Sequence, residues 1–168
     1  LQAGEKGIPF IPMRGLIGSD LLKHRPDYQV IDNPLADGAD PIVVLPAIVP
    51  DFALIHAPLA DRLGNVWIGK ARELMTMAHA AKRTLVSVEE IVDENLMADE
   101  LRAPATIPAH YITALARATR GCWPIGLQGC YDLDADALAA YAQMARTPEG
   151  LDRFLHEGPQ PAQPVAAE

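Results

Sequence analysis

An arginine at the end of an apolar run, followed at once by small residues, is the first place in this sequence where chemistry suggests itself. Arg14 follows Phe10-Ile11-Pro12-Met13 and precedes Gly15, Gly18 and Ser19. A guanidinium held at the rim of a sheet can clamp a carboxylate or phosphate through two parallel hydrogen bonds. The loop of Gly15, Gly18 and Ser19 runs into a helix start, where free backbone N–H groups can receive the same anion. The competing reading is an arginine that ties down its own loop through a neighbour such as Asp20, with Asp20 also capping the helix. His56 closes the apolar run Phe52-Ala53-Leu54-Ile55, and Asn65 ends the turn Ala60-Asp61-Arg62-Leu63-Gly64-Asn65. Both fall at strand ends, where open α/β sheets bind ligands. They read as pocket-lining residues, His56 being a structural histidine with Asp61, Arg62 and Asn65 as its natural partners rather than a general base.

Other reactive side chains are sparse. Ser19 and Ser87 are the only serines, and neither lies in a Gly-x-Ser-x-Gly elbow, which disfavours a hydrolase triad. Glu89 and Glu90 follow the apolar run Thr84–Val88 and are the best-positioned carboxylates, with a solvated or capping role as the plainer reading. His24, His79 and His156 are expected on polar helix faces, and His110 beside a strand. Cys122 and Cys130 have no zinc-like spacing and no flanking histidine cluster, so no metal site is expected and the thiols are read as free.

These residues need strands to carry them. Ile8–Met13, Tyr28–Ile31, Ile42–Leu45, Phe52–His56, Val66–Ile68, Thr84–Val88 and Tyr111–Leu115 read as strands, with both faces of Phe52–Ile55 covered. Ala71, Leu74, Met75, Ala78 and Ala81 recur at helical spacing and predict a helix over 71–82. A short helix is expected around Asp20–His24, and a helix or loop over Glu89–Leu101. Asp134 caps a helix to Arg146, and Thr147-Pro148 opens another, packed through Leu151, Phe154 and Leu155 and ended by Gly158. A helix followed within two residues by the strand at Thr84 is half of a crossover, so the fold class is α/β with a largely parallel sheet flanked by helices. Residues 1–157 form a single domain, and 158–168, with three prolines after Gly158, a disordered tail.

Composition narrows the function classes. The chain of 168 residues is 49% hydrophobic and 21% charged, an ordinary globular make-up. A net charge of -8 with scattered basic residues argues against nucleic acid as a partner. No apolar run approaches the ~20 residues of a membrane span and no signal peptide is recognisable, so a cytoplasmic, membrane-free protein is expected.

Four segments, in order, resemble one family. They are Pro9-Phe-Ile-Pro-Met-Arg-Gly-Leu-Ile-Gly-Ser-Asp-Leu-Leu22, Pro50–Gly69 with its His and Ala-Asp-Arg-x-Gly-Asn, Leu85–Val92, and Ile107-Pro-Ala-His-Tyr-Ile112. They are similar to the alpha subunit of family I coenzyme A transferases, the glutaconate and 3-oxoacid group, over residues 7–156. The resemblance implies the coenzyme A transferase fold, which is ribose-phosphate-isomerase-like. It also implies coenzyme A as a substrate, with no metal. Arg14 would hold the acyl carboxylate, with Gly15, Gly18, Ser19, His56 and Asn65 around the substrate. The nucleophile would be a glutamate of a partner beta subunit, which attacks the acyl-CoA and becomes a glutamyl thioester. CoA would pass between an acyl-CoA and a carboxylic acid. Such alpha subunits open with a glycine-rich βα unit of roughly a hundred residues, so the sequence is expected to be the C-terminal portion of a longer polypeptide. CoA-ester hydrolases that open rings in steroid breakdown are relatives and stay open as an alternative. A non-catalytic sugar-phosphate or acyl-ligand binding domain, or a subunit that only supports a partner, are rivals from other classes.

Overall fold

A computed structural model describes residues 1–158, and the expected tail from Pro159 onward lies outside the described residues. In chain order the elements are α1 (Gln2–Glu5), β1 (Phe10–Met13), α2 (Leu21–His24), β2 (Gln29–Asp32), β3 (Pro41–Pro46), β4 (Phe52–Asp61), β5 (Val66–Trp67), α3 (Glu73–Ala80), β6 (Arg83–Val92), β7 (Thr106–Ile107), β8 (Ala114–Arg117), α4 (Ala135–Met144) and α5 (Pro148–Glu157). They build two sheets. One is three-stranded in the order β1-β3-β2, the other five-stranded in the order β7-β5-β4-β6-β8.

The α/β class stands, but the sheet is mixed rather than largely parallel. Only β4 with β6 and β6 with β8 run parallel; β4 with β5, β5 with β7, and both pairings of the small sheet are antiparallel. The physical reason is connection length. The α3 crossover is long enough to return the chain parallel to β4, whereas the four-residue turn Arg62–Asn65 can only reverse it.

β4 and β6 each run for ten residues, well past the expected ends at His56 and Val88. Their shared register from Phe52↔Arg83 to Asp61↔Val92 steps over Pro58, which has no N–H to offer. Glu89 and Glu90 are therefore strand residues and not the start of an acidic helix. Burial alternates at the start of β4: Ala53 and Ile55 are buried while Phe52 and Leu54 are exposed, so only one face of Phe52–Ile55 is covered. That face joins Val86 and Val88 of β6, Val66, Ile68 and Ile107 in a core closed by Ala78, Leu74 and Met75 of α3.

α3 is shorter than its apolar periodicity. No side chain caps its start, and at its end Ala81 turns extended while Lys82 donates its backbone N–H to Pro50 O at 2.9 Å, pulling the chain onto β6. His79 does not face solvent. Its Nδ1 is 3.0 Å from Glu5 Oε1 and its ring stacks on Tyr111 at 3.9 Å. Tyr111 itself lies in a short 3-10 turn (Ala109–Tyr111), and the strand expected there starts at Ala114. Both downstream helix caps form as read: Asp134 accepts from the N–H of Ala137, and Thr147 from that of Gly150. Phe154 packs on Tyr141 at 4.6 Å, but Leu151 and Leu155, expected to pack with it, are exposed.

Candidate functional site midway along the parallel strands

The parallel register sets His56 of β4 opposite Ser87 of β6, and period-two alternation puts Glu89 on the same face one step further. The three side chains form a continuous chain: Ser87 Oγ to His56 Nδ1 at 2.8 Å, then His56 Nε2 to Glu89 Oε1 at 2.8 Å. Because a carboxylate only accepts, Nε2 carries the hydrogen of the bond to Glu89, which leaves Nδ1 to the Ser87 hydroxyl. Asp61, Arg62 and Asn65, the partners expected for His56, make none of these bonds.

Glu89 is the hub. Its Oε1 also accepts from the Tyr131 hydroxyl at 2.9 Å and the Gly121 N–H at 3.1 Å, and its Oε2 from the Arg120 N–H at 2.7 Å. Arg120 has a positive φ of 54°, which turns its own N–H and the next inward as an anion-binding nest. Burial alone would raise the carboxyl pKa. The hydrogen bonds from Arg120, His56, Tyr131 and Gly121 outweigh it and hold Glu89 below the usual carboxylate range. Burial, reinforced by the Glu89 charge, pushes the Tyr131 phenol to about 12, so it stays a donor to Glu89 while accepting from the Cys122 N–H. The Cys122 and Cys130 thiols, both free, are raised by burial and then by the same charge, so neither is an activated nucleophile. Gly121 is required by this packing, since a Cβ there would sit 2.5 Å from His56 Cε1.

A serine hydrogen bonded to a histidine that bonds a carboxylate has the connectivity of a relay, yet Ser87 is not placed to attack. β6 is paired on both sides, so the backbone N–H groups around Ser87 belong to the ladder and none is free to hold an oxyanion. What the chain of bonds does is fix the His56 ring and clamp the segment from Arg117 to Tyr131 over the middle of β4 and β6, since His56, expected at a strand end, lies within a ten-residue strand.

The other sequence candidates lie elsewhere. Asn65 is 7% exposed, and its side chain is consumed by the turn: Nδ2 donates to Asp61 Oδ2 at 2.8 Å and Oδ1 accepts from the Ala109 N–H at 3.0 Å. Asp61, 1% exposed, also accepts from the N–H groups of Leu63, Asn65 and Leu96. Burial opposes its charge, but these bonds keep its pKa low. Arg14 stands on the small sheet, paired in fork fashion with Asp40, which Asn33 also holds at 2.8 Å. Asp20 is not its partner; it pairs with Lys23 at 2.6 Å and caps nothing. Ser19 donates to Leu16 O at 2.7 Å, closing a loop in which Leu16 and Gly18 take positive φ. The cavities that border His56 do not reach Arg14. The structure thus brings His56 together with Ser87 and Glu89 but not with Arg14, Gly15, Gly18, Ser19 or Asn65. Tyr131, Arg120 and Gly121 were invisible in the sequence, because a loop carries no period; Ser87 and Glu89 could have been paired with His56 once the parallel register was assumed.

The coenzyme A transferase family model matches residues 1–117, from α1 through β8. The chain belongs to the coenzyme A transferase family. It is 35% identical over 92% of its length to the A-type subunit of the 3-oxoadipate CoA-transferase of Pseudomonas knackmussii, covering 54% of that protein. To the A-type subunit of the glutaconate CoA-transferase of Acidaminococcus fermentans it is 34% identical over 93% of its length, covering 53% of that protein. The crystal structure of that transferase superposes with a TM-score of 0.81 at 31% identity, over 94% of this chain and 54% of the other. The cholesterol ring-cleaving hydrolase IpdA subunit of Rhodococcus jostii is more distant, 25% identical over 92% of this chain and 55% of its own. The coenzyme A transferase fold is thereby established, in a chain that spans about half the length of these relatives.

Proposed function

We propose that this chain is part of the A-type subunit of a CoA-transferase, which moves CoA between an acyl-CoA and a carboxylic acid. The observation that carries the reading is its 34–35% identity to the A-type subunits of two named CoA-transferases across more than nine-tenths of its length. A partner chain of B type supplies the glutamate that attacks the acyl-CoA carbonyl; CoA leaves as thiolate, then returns to the glutamyl carbonyl and releases the first acid. The geometry supports a centre completed from outside, because the one serine in a hydrogen-bonded relay here lacks oxyanion donors. In this reading the His56 ring, pinned by Ser87 and Glu89, lines the acyl site on this side. Arg14, with Gly15, Gly18 and Ser19, receives an acyl carboxylate that displaces Asp40 from the guanidinium, and Asn65 contributes by holding its turn. The enzyme works in the cytoplasm; no helix among the described residues is long and apolar enough to cross a membrane.

The test is an exchange assay on the chain co-expressed with the product of the neighbouring reading frame. Labelled carboxylic acid plus acyl-CoA should yield labelled acyl-CoA with no net loss of thioester. Free CoA appearing at the same rate with and without acceptor acid would instead support the hydrolase reading that the IpdA relatives keep alive.

A further inference from the structure

The small sheet carries more apolar surface than its own chain covers. β1 and β2 are its edge strands, each paired only with β3, and every residue of both is exposed. Phe10, Ile11, Met13, Val30 and Ile31 are the large apolar ones among them. Beyond β2 the backbone N–H of Leu35 donates to Asn33 Oδ1, and that of Ala36 to Asn33 O, both at 3.1 Å. This closed turn holds Leu35 out at 92% exposure. Open apolar edges pair with other chains unless they are covered, and a contiguous apolar patch of this kind marks an interface.

The rim of the patch is polar. Arg14 pairs with Asp40, Lys23 with Asp20, and Arg25 with Asp27. Two exposed carboxylates have no hydrogen bond or ion pair among the described residues: Asp32 at the end of β2 and Asp37 in the loop after it. An apolar centre inside a charged rim is the anatomy of a protein interface, and uncompensated acids at its edge match a basic rim on the occupant.

The reaction proposed above says which occupant. Arg14, which directly follows β1, receives the acyl carboxylate, and the attacking glutamate comes from the partner chain. That glutamate must reach to within one acyl chain's length of the guanidinium, and a partner that does so lands on the small sheet. We infer that the small sheet is the docking surface for the B-type chain, with Leu35 as an apolar anchor and Asp32 and Asp37 met by basic side chains of that partner. The inference rests on the CoA-transfer reading for the partner's identity and deepens it by naming the surface.

The experiment uses the two-chain complex, co-expressed with the photo-crosslinking residue p-benzoylphenylalanine at position 35 or, separately, at position 54 on the bare face of the large sheet. After irradiation the cross-linked peptides are mapped by mass spectrometry. Position 35 should cross-link to the partner chain and position 54 should not. Leu35→Asp should weaken assembly at least ~10-fold in Kd, as expected when a leucine that the interface buries is replaced by a charge, while the unfolding midpoint of this chain stays unchanged. Asp32→Lys with Asp37→Lys should weaken assembly at low salt and approach the wild-type Kd at high salt, where such charges are screened. Cross-links from position 35 confined to this chain or to a second copy of it, cross-links to the partner from position 54 instead, or wild-type assembly of Leu35→Asp would overturn the inference. Assembly is read without acyl-CoA. A complex that forms through this sheet yet exchanges no CoA therefore defeats the transfer reading alone, and exchange without a cross-link from position 35 defeats the docking surface alone.

Discussion

The two sheets of this molecule treat their charged residues in opposite ways. On the small sheet every residue of β1 and β2 is exposed, and Arg14 meets Asp40 at a surface where its side chain is 71% accessible. On the large sheet His56 and Glu89 meet at 10% and 14% accessibility, and every polar atom of the pair is engaged. An exposed pair exchanges water for a partner at little gain and can be opened by a ligand; a buried, saturated one holds structure and cannot be opened without leaving donors stranded. The difference separates a group suited to receive something from a group suited to hold the frame.

Substitutions sharpen or break this contrast. The largest effect is expected from Asp61→Ala, which leaves the buried N–H groups of Asn65 and Leu96 without acceptors and should cost about 3 kcal/mol or more in urea unfolding. Glu89→Gln comes next, at about 1–3 kcal/mol, because one of its oxygens becomes a donor facing donors. Its pH dependence has a definite sign. The folded-state pKa of Glu89 is depressed, so its contribution is complete above the unfolded value of about 4.3 and is lost as pH falls through the lower folded value. Wild-type stability should therefore fall on acidification through that window, and Glu89→Gln should flatten the fall measured by urea midpoints. Gly121→Ala should cost about 1–3 kcal/mol by driving a methyl group into the His56 ring, seen as a shift of the His56 NMR resonances. The smallest structural effect belongs to Arg14→Ala, which should leave the unfolding midpoint where it was and raise the KM for the acceptor acid in the two-chain enzyme. A large loss of stability there would place Arg14 with the frame instead.

Much of the frame was legible. The apolar runs ending at Met13 and His56, the Gly-Asn turn, and the Asp134 and Thr147 caps are local signals that the structure honours. The lengths of β4 and β6 were not, because proline and paired glutamates look like strand ends until the parallel partner supplies a ladder around them. The uncovered face of Leu54 was hidden for a related reason: a continuous apolar run does not say which side another layer occupies. At the site, residue types pointed to His56 but not to its partners, since Ser87 and Glu89 are more than thirty positions away and meet it only through register. Arg14 drew attention through its loop, yet its partner Asp40 comes across the sheet from beyond β2, where no spacing rule reaches.

In the function proposed above, a partner chain carries the reacting carboxylate while this chain shapes the acyl side. Trapping settles it most directly: the two-chain enzyme is incubated with acyl-CoA, treated with borohydride or hydroxylamine, and each chain is mapped by mass spectrometry. The account predicts one modified glutamate, on the partner, and none on this chain. Modification of Ser87, Glu89 or any other residue between 1 and 168, with the partner unmodified, would contradict it.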